Sequence, residues 1–212
     1  MKKTNKFILL SITLFSLFSF TNALKFEKTI IFYDSFQDNR HNWLLDSEFS
    51  TGNISNGIYQ LVSLGERSDI RVQDLGLMNG IHDFEIEVSI RIIGESEFCN
   101  SIIWGTTSIG GQYEEGLSFG INSHQKFIAL ETKDWVAHDF FGWEKDNGIK
   151  KHGFNKLLVR KKLDQYHFYI NDRLVKTSST KTFQGQNFGF HVANGATIQI
   201  DYLKVSTFLP RA

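Results

Sequence analysis

The chain has 212 residues, with 23 Lys plus Arg balanced by 23 Asp plus Glu, a single Cys, a single Pro and 41% hydrophobic residues. A charge balance near zero removes the electrostatic basis for binding nucleic acid or anionic lipid. The lone Cys99 excludes an intramolecular disulfide, and it reads as a buried, inert thiol.

The start reads as a targeting segment. Met1-Lys2-Lys3-Thr4-Asn5-Lys6 is basic, Phe7 to Phe20 is apolar but too short to span a bilayer, and Thr21-Asn22-Ala23 offers a cleavage site. Residues 1–23 are therefore expected to be a signal peptide, with a mature N-terminus at Leu24 and a secreted or periplasmic product. No later apolar run reaches transmembrane length. Residues 24–212 carry no linker or charge block, which predicts one domain.

Period-two alternation dominates that domain. The spacing predicts strands over Ile30–Phe36, Gly57–Leu64 and Asp69–Gln73. Next comes a long strand with Phe84, Ile86, Val88, Ile90 and Ile92 on one face and Glu85, Glu87, Ser89 and Arg91 on a solvated one. Ser101–Trp104, the Leu117, Phe119, Ile121 alternation, Lys126–Thr132 and Asn155–Lys161 follow. Tyr166, Phe168 and Ile170 lead into Asn171-Asp172, a pair suited to a tight hairpin. Phe188, Phe190 and Val192, then Thr197–Val205, close the series. Turn residues fall at Gly52-Asn53, Gly65, Asn79-Gly80, Gly110-Gly111, Gly148 and Asn194-Gly195. Many short strands without an amphipathic helix predict an all-β sandwich.

Ordered motifs sharpen the expectation. Asp34-Ser35-Phe36, Asn42-Trp43 and Asn56-Gly57-Ile58-Tyr59 open the chain. Asp83-Phe84-Glu85-Ile86-Glu87 and Ile103-Trp104-Gly105 come next. Asn155-Lys156-Leu157, Phe168-Tyr169-Ile170-Asn171, Gly189-Phe190 and Ile200-Asp201-Tyr202-Leu203 end it. The set resembles bacterial secreted concanavalin A-like, laminin-G-like jelly-roll domains over most of residues 32–205. The resemblance implies a two-sheet antiparallel jelly-roll sandwich. It also raises the expectation of sugar binding, since the superfamily includes lectins, carbohydrate-binding modules and glycoside hydrolases.

Candidate chemistry is sparse. Glu85 and Glu87 pair carboxylates on one strand, as glycoside hydrolysis requires. The laminarinase-type signature E-x-D-x-E is nevertheless broken by Glu85-Ile86-Glu87-Val88-Ser89. Gly116-Leu117-Ser118-Phe119-Gly120 fits G-x-S-x-G, but it alternates as a strand and lacks the helix of a nucleophile elbow. The seven histidines show no zinc spacing. Asp134, Asp139, Glu144, Asp146 and Asn147 crowd one segment without the spacing of a calcium loop, so no cofactor is expected and calcium lacks support.

The segment Lys133–Lys151 is read as a loop suited to carbohydrate. It mixes Trp135, Phe140, Phe141 and Trp143 with His138, Asp139 and Asn147. Aromatic rings stack on the C–H faces of sugars, and carboxylates and amides take their hydroxyls. Candidate sugar-binding residues are Tyr113, Trp135, His138, Asp139 and Asn147, with Gln112 and Glu114 sharing the rim and Trp143 packing the loop onto the sheet. The expected function is a secreted, non-catalytic sandwich that binds a glycan or another cell-surface ligand. The alternatives are a glycosidase-type hydrolase of the same fold and a structural or protein-interaction module.

Overall fold

The computed structural model describes residues 26–65, 69–74, 83–109, 112–134, 136–179, 185 and 187–210. The expected signal peptide and the Asn79-Gly80 and Gly110-Gly111 turns lie outside them. Every regular element among the described residues is a strand. These are β1 (Phe26–Asp34), β2 (Ser50–Ser55), β3 (Ile58–Ser63), β4 (Asp69–Asp74), β5 (Phe84–Ile93), β6 (Asn100–Ile109) and β7 (Gln112–Ile121). They continue as β8 (Lys126–Lys133), β9 (Val136–Lys145), β10 (Asn155–Lys162), β11 (Gln165–Ile170), β12 (Arg173–Ser179), β13 (Asn187–Val192) and β14 (Thr197–Pro210).

They form two antiparallel sheets. The larger runs β12-β11-β10-β5-β14-β3-β2, with β1 added on β14, and the smaller runs β4-β13-β6-β7-β8-β9. The core between them follows from alternation. Phe84, Ile86, Val88, Ile90 and Ile92 of β5 meet Leu117, Phe119 and Ile121 of β7 and Phe188, Phe190 and Val192 of β13, all buried. In β14 a register shift between Ile200 and Tyr202 re-phases the strand, so Ile198 and Ile200 and then Leu203 and Val205 all reach the core.

The early motif residues are core hardware. Asp34 accepts hydrogen bonds from Phe36 N (2.8 Å) and from the Trp43 indole N–H (2.7 Å), while Asn39 clamps the Trp43 backbone. Phe36, Trp43, Tyr59 and Phe190 pack as one cluster with ring centroids 5.4–6.3 Å apart. Phe36 has φ 49°, so the predicted strand ends before it, at Asp34.

Hairpin chemistry is legible in two places. Asn171 and Asp172 have φ 50° and 68°, and Asn56 and Gly57 have φ 53° and 72°, the left-handed pairs of two-residue hairpins. Gly52-Asn53 is corrected: both lie inside β2, and Gly52 is needed because a Cβ there would sit 2.5 Å from the Leu45 carbonyl oxygen.

Candidate functional site

The outer face of the smaller sheet carries the feature of interest. In β8, Phe127 and Ala129 join the core, which sends Ile128 and Leu130 to the outer face. Gly120 of β7 and His191 of β13 alternate with core residues in the same way. In β9 two register irregularities break the alternation. Leu130 pairs with Asp139 and Ala129 with Phe141, leaving Phe140 extra; Phe127 pairs with Glu144, leaving Gly142 and Trp143 opposite Ile128. Phe140 and Phe141 thus both pack inward, 6.1 and 5.0 Å from Phe168, and Trp143 returns to the outer face.

A groove of about 900 Å³ results, lined on its sheet side by Ile128, Leu130, Ala137, Asp139, Trp143 and His191. Glu97, Phe98, Cys99, Ala193 and Asn194 line it from the β5–β6 and β13–β14 loops. Trp143 is 40% and Phe98 61% exposed, so both rings present apolar area to solvent. A mostly apolar concavity with a few polar groups is the usual form of a small-ligand site.

The loop wall is held from beneath. Asn100, fully buried, accepts from Ala193 N (2.9 Å) and donates to Ser96 Oγ (3.1 Å) and the Phe98 carbonyl (3.3 Å), tying both loops together. Asn122 donates to the Glu97 carbonyl (2.9 Å), and Ser96 and Ser123 exchange backbone and hydroxyl bonds of 3.0 Å. Gly120 lets the wall lie on the sheet: a Cβ there would stand 2.3 Å from Asn100 O and 2.6 Å from Cys99 Sγ. Burial pushes the Cys99 thiol up to about 12, leaving it protonated and unreactive. Burial also lowers the His191 pKa, with the Cys99 backbone and Asp69 pulling the other way.

The candidate residues are not brought together as expected. Asp139 lines the groove. His138, adjacent on the strand, points to the opposite face and pairs across from Glu131. Asn147 sits in the exposed turn after β9, its carbonyl 3.4 Å from Gln125 Nε2, and does not line the groove. Trp135 lies outside the described residues, as do the side chains of Gln112, Tyr113 and Glu114, whose backbone opens β7. The Lys133–Lys151 loop is corrected to an edge strand, β9, over most of its length. Trp143 is corrected from packing residue to groove residue.

Glu85 and Glu87 also differ from expectation. They occupy the outer face of the larger sheet, yet are only 1% and 8% exposed because long side chains cover them. Glu85 is ion-paired with Lys28 and Arg160, and Glu87 is ion-paired with Lys204 and accepts a hydrogen bond from the Tyr202 hydroxyl at 2.9 Å. Both carboxylates are committed. Glu144 and Asp146 are likewise paired, with Lys176 and Arg173, which links β9 to β12 across the open side of the sandwich. Among the described residues, no group of three or more His, Cys, Asp and Glu is placed to hold a metal ion. Ser118 of the G-x-S-x-G run is buried within β7, between Ile103 and Leu130 on the neighbouring strands.

No family model matches the chain, and no curated protein matches it. Solved structures do. A protein of unknown function with a galectin-like fold from Bacillus subtilis superposes with TM-score 0.65 at 8% identity, covering 88% of this chain and 100% of that one. A β-glucanase from Bacillus licheniformis gives TM-score 0.58 at 11% identity over 85% and 98% of the two chains. The exoplasmic/lumenal domain of VIP36, in a Ca2+/Man3GlcNAc-bound form, gives 0.58 at 12% identity over 84% and 88%. The fold is a concanavalin A-like jelly roll.

Proposed function

We propose that this protein is an exported, non-catalytic β-sandwich that binds glycan in the groove on the outer face of its smaller sheet. The observation that carries the reading is the pairing of two solvent-facing rings, Trp143 and Phe98, with the carboxylates of Asp139 and Glu97 along one apolar groove. Rings cover the C–H faces of a sugar, and carboxylate oxygens accept from its hydroxyls. A wall pinned by Asn100 and Asn122 spares the ligand the entropy of ordering it. Neighbours in the same fold include a glucanase and a domain bound to Man3GlcNAc, which supports a sugar ligand. Export rests on residues 1–23.

Binding is favoured over hydrolysis by the state of the carboxylates. Hydrolysis of a glycoside needs two cooperating carboxyl groups, one of them shielded from water to serve as acid. Glu85 and Glu87 are tied to cations, and Glu97 and Asp139 stand exposed.

A glycan array probed with the protein and its Trp143→Ala variant tests this. The wild type should retain at least one glycan and the variant should lose at least about tenfold in affinity, the scale of a central aromatic contact. Its melting temperature should stay near wild type, because an exposed ring stabilises the fold little. Equal retention by the variant, or release of reducing ends from the retained glycan, would contradict the proposal.

A further inference from the structure

Building on the reading of the groove as a glycan site, we infer that it selects sugars bearing a protonated amine, such as 2-amino-2-deoxyhexose units, and rejects acidic glycans. The argument is one of charge complementarity. Among the described lining residues, the two formally charged groups are both carboxylates, Glu97 and Asp139. Neither carboxylate has a hydrogen bond or ion pair within the described structure, and none of the described lining residues is a Lys or Arg.

This contrasts with five carboxylates elsewhere in the fold. Glu85, Glu87, Glu144, Asp146 and Asp172 each hold a Lys or Arg. At the foot of the wall Glu95 accepts from Ser123 Oγ at 2.8 Å and faces His124 Nε2 at 3.5 Å, so unlike Glu97 and Asp139 it has an imidazole partner. Of the other titratable lining groups, His191 is held toward its neutral form by burial and Cys99 stays protonated, so neither supplies a compensating charge near neutral pH.

An ammonium group entering the groove therefore meets two free acceptors and gains charge-assisted hydrogen bonds. A neutral hydroxyl gains the hydrogen bond without the Coulomb term. A uronate or sulfate brings a like charge against both carboxylates, with no cationic side chain among the described lining residues to offset its loss of water. The attraction is partly solvent-exposed, so its size is modest and salt screens it.

The test is calorimetry at about pH 6, where the sugar amine is protonated, with glucosamine oligomers, N-acetylglucosamine oligomers of equal length, and oligogalacturonate. The full exported protein, Trp143→Ala and the double variant Glu97→Gln/Asp139→Asn are compared. The amine form should bind about three- to tenfold more tightly than the N-acetylated form, and oligogalacturonate most weakly. The advantage should vanish in the double variant and shrink at about 0.5 M salt. Equal or tighter binding of the N-acetylated oligomer, lost in Trp143→Ala, would overturn the amine preference while leaving the groove as the glycan site. Binding indifferent to Trp143→Ala would overturn the groove itself. An amine advantage that survives the double variant, or no binding by any of the three sugars, would overturn the inference.

Discussion

His191 couples the floor of the groove to solution pH. Its imidazole is carried outward between the core residues Phe190 and Val192, and burial lowers its pKa below the ordinary 6.5. As pH falls through about 6.5, the unfolded chain takes the proton before the folded one does. The stabilising effect of the neutral ring is therefore complete above that pH and is lost as pH drops toward the folded value. His191→Gln should flatten the decline in melting temperature between about pH 7 and pH 5 relative to wild type. An unchanged or steeper decline in the variant would show that His191 is not the group responsible. At this scale the sequence is informative for some residues and silent for others. Asp139 stands out because a carboxylate flanked by aromatic residues is visible in one dimension. Phe98 does not, because its exposure depends on Asn100 and Asn122 fixing the surrounding loop, and the Asn100–Ala193 bond spans 93 positions.

Elements with an unbroken two-residue period were legible. β5, β7 and β13 place their apolar residues on one face without interruption, and that face is the core. β9 was not legible, because its irregularities send Phe140 and Phe141 the same way and return Trp143 to the opposite face, so no single period describes it. β5 offers a further test. Its outer face buries the Glu85 carboxylate against Lys28 and Arg160, which are themselves 39% and 37% exposed. Removing both charges while keeping the covering chains, in Lys28→Met/Arg160→Met, strands the buried Glu85 carboxylate and should cost about 3–5 kcal/mol in urea denaturation. Glu85→Ala should cost less, because the freed cations extend into water. The reverse order would mean that Glu85 contributes by packing rather than as a charge held in place by its partners.

For the molecule as a whole, alternation and turn residues sufficed for an all-β sandwich, since each strand declares which side it buries, and the ordered motifs added the two-sheet jelly roll. The groove was legible only in part, because its wall and its floor come from β8, β9, β13 and two loops that meet only in the folded sandwich. The export proposal belongs at this scale too: mass spectrometry of the exported protein should find its N-terminus at Leu24, and retention of Met1 would contradict it. The central claim is that glycan binds on the smaller sheet, and its most direct measurement is a proton–nitrogen correlation spectrum titrated with a retained oligosaccharide. Resonances of the Trp143 indole, Ile128, Leu130, Ala137 and Asp139 should shift together along one binding curve, with those of Glu85, Glu87 and Arg160 unmoved. Shifts confined to the larger sheet, with the groove resonances unmoved, would contradict the account.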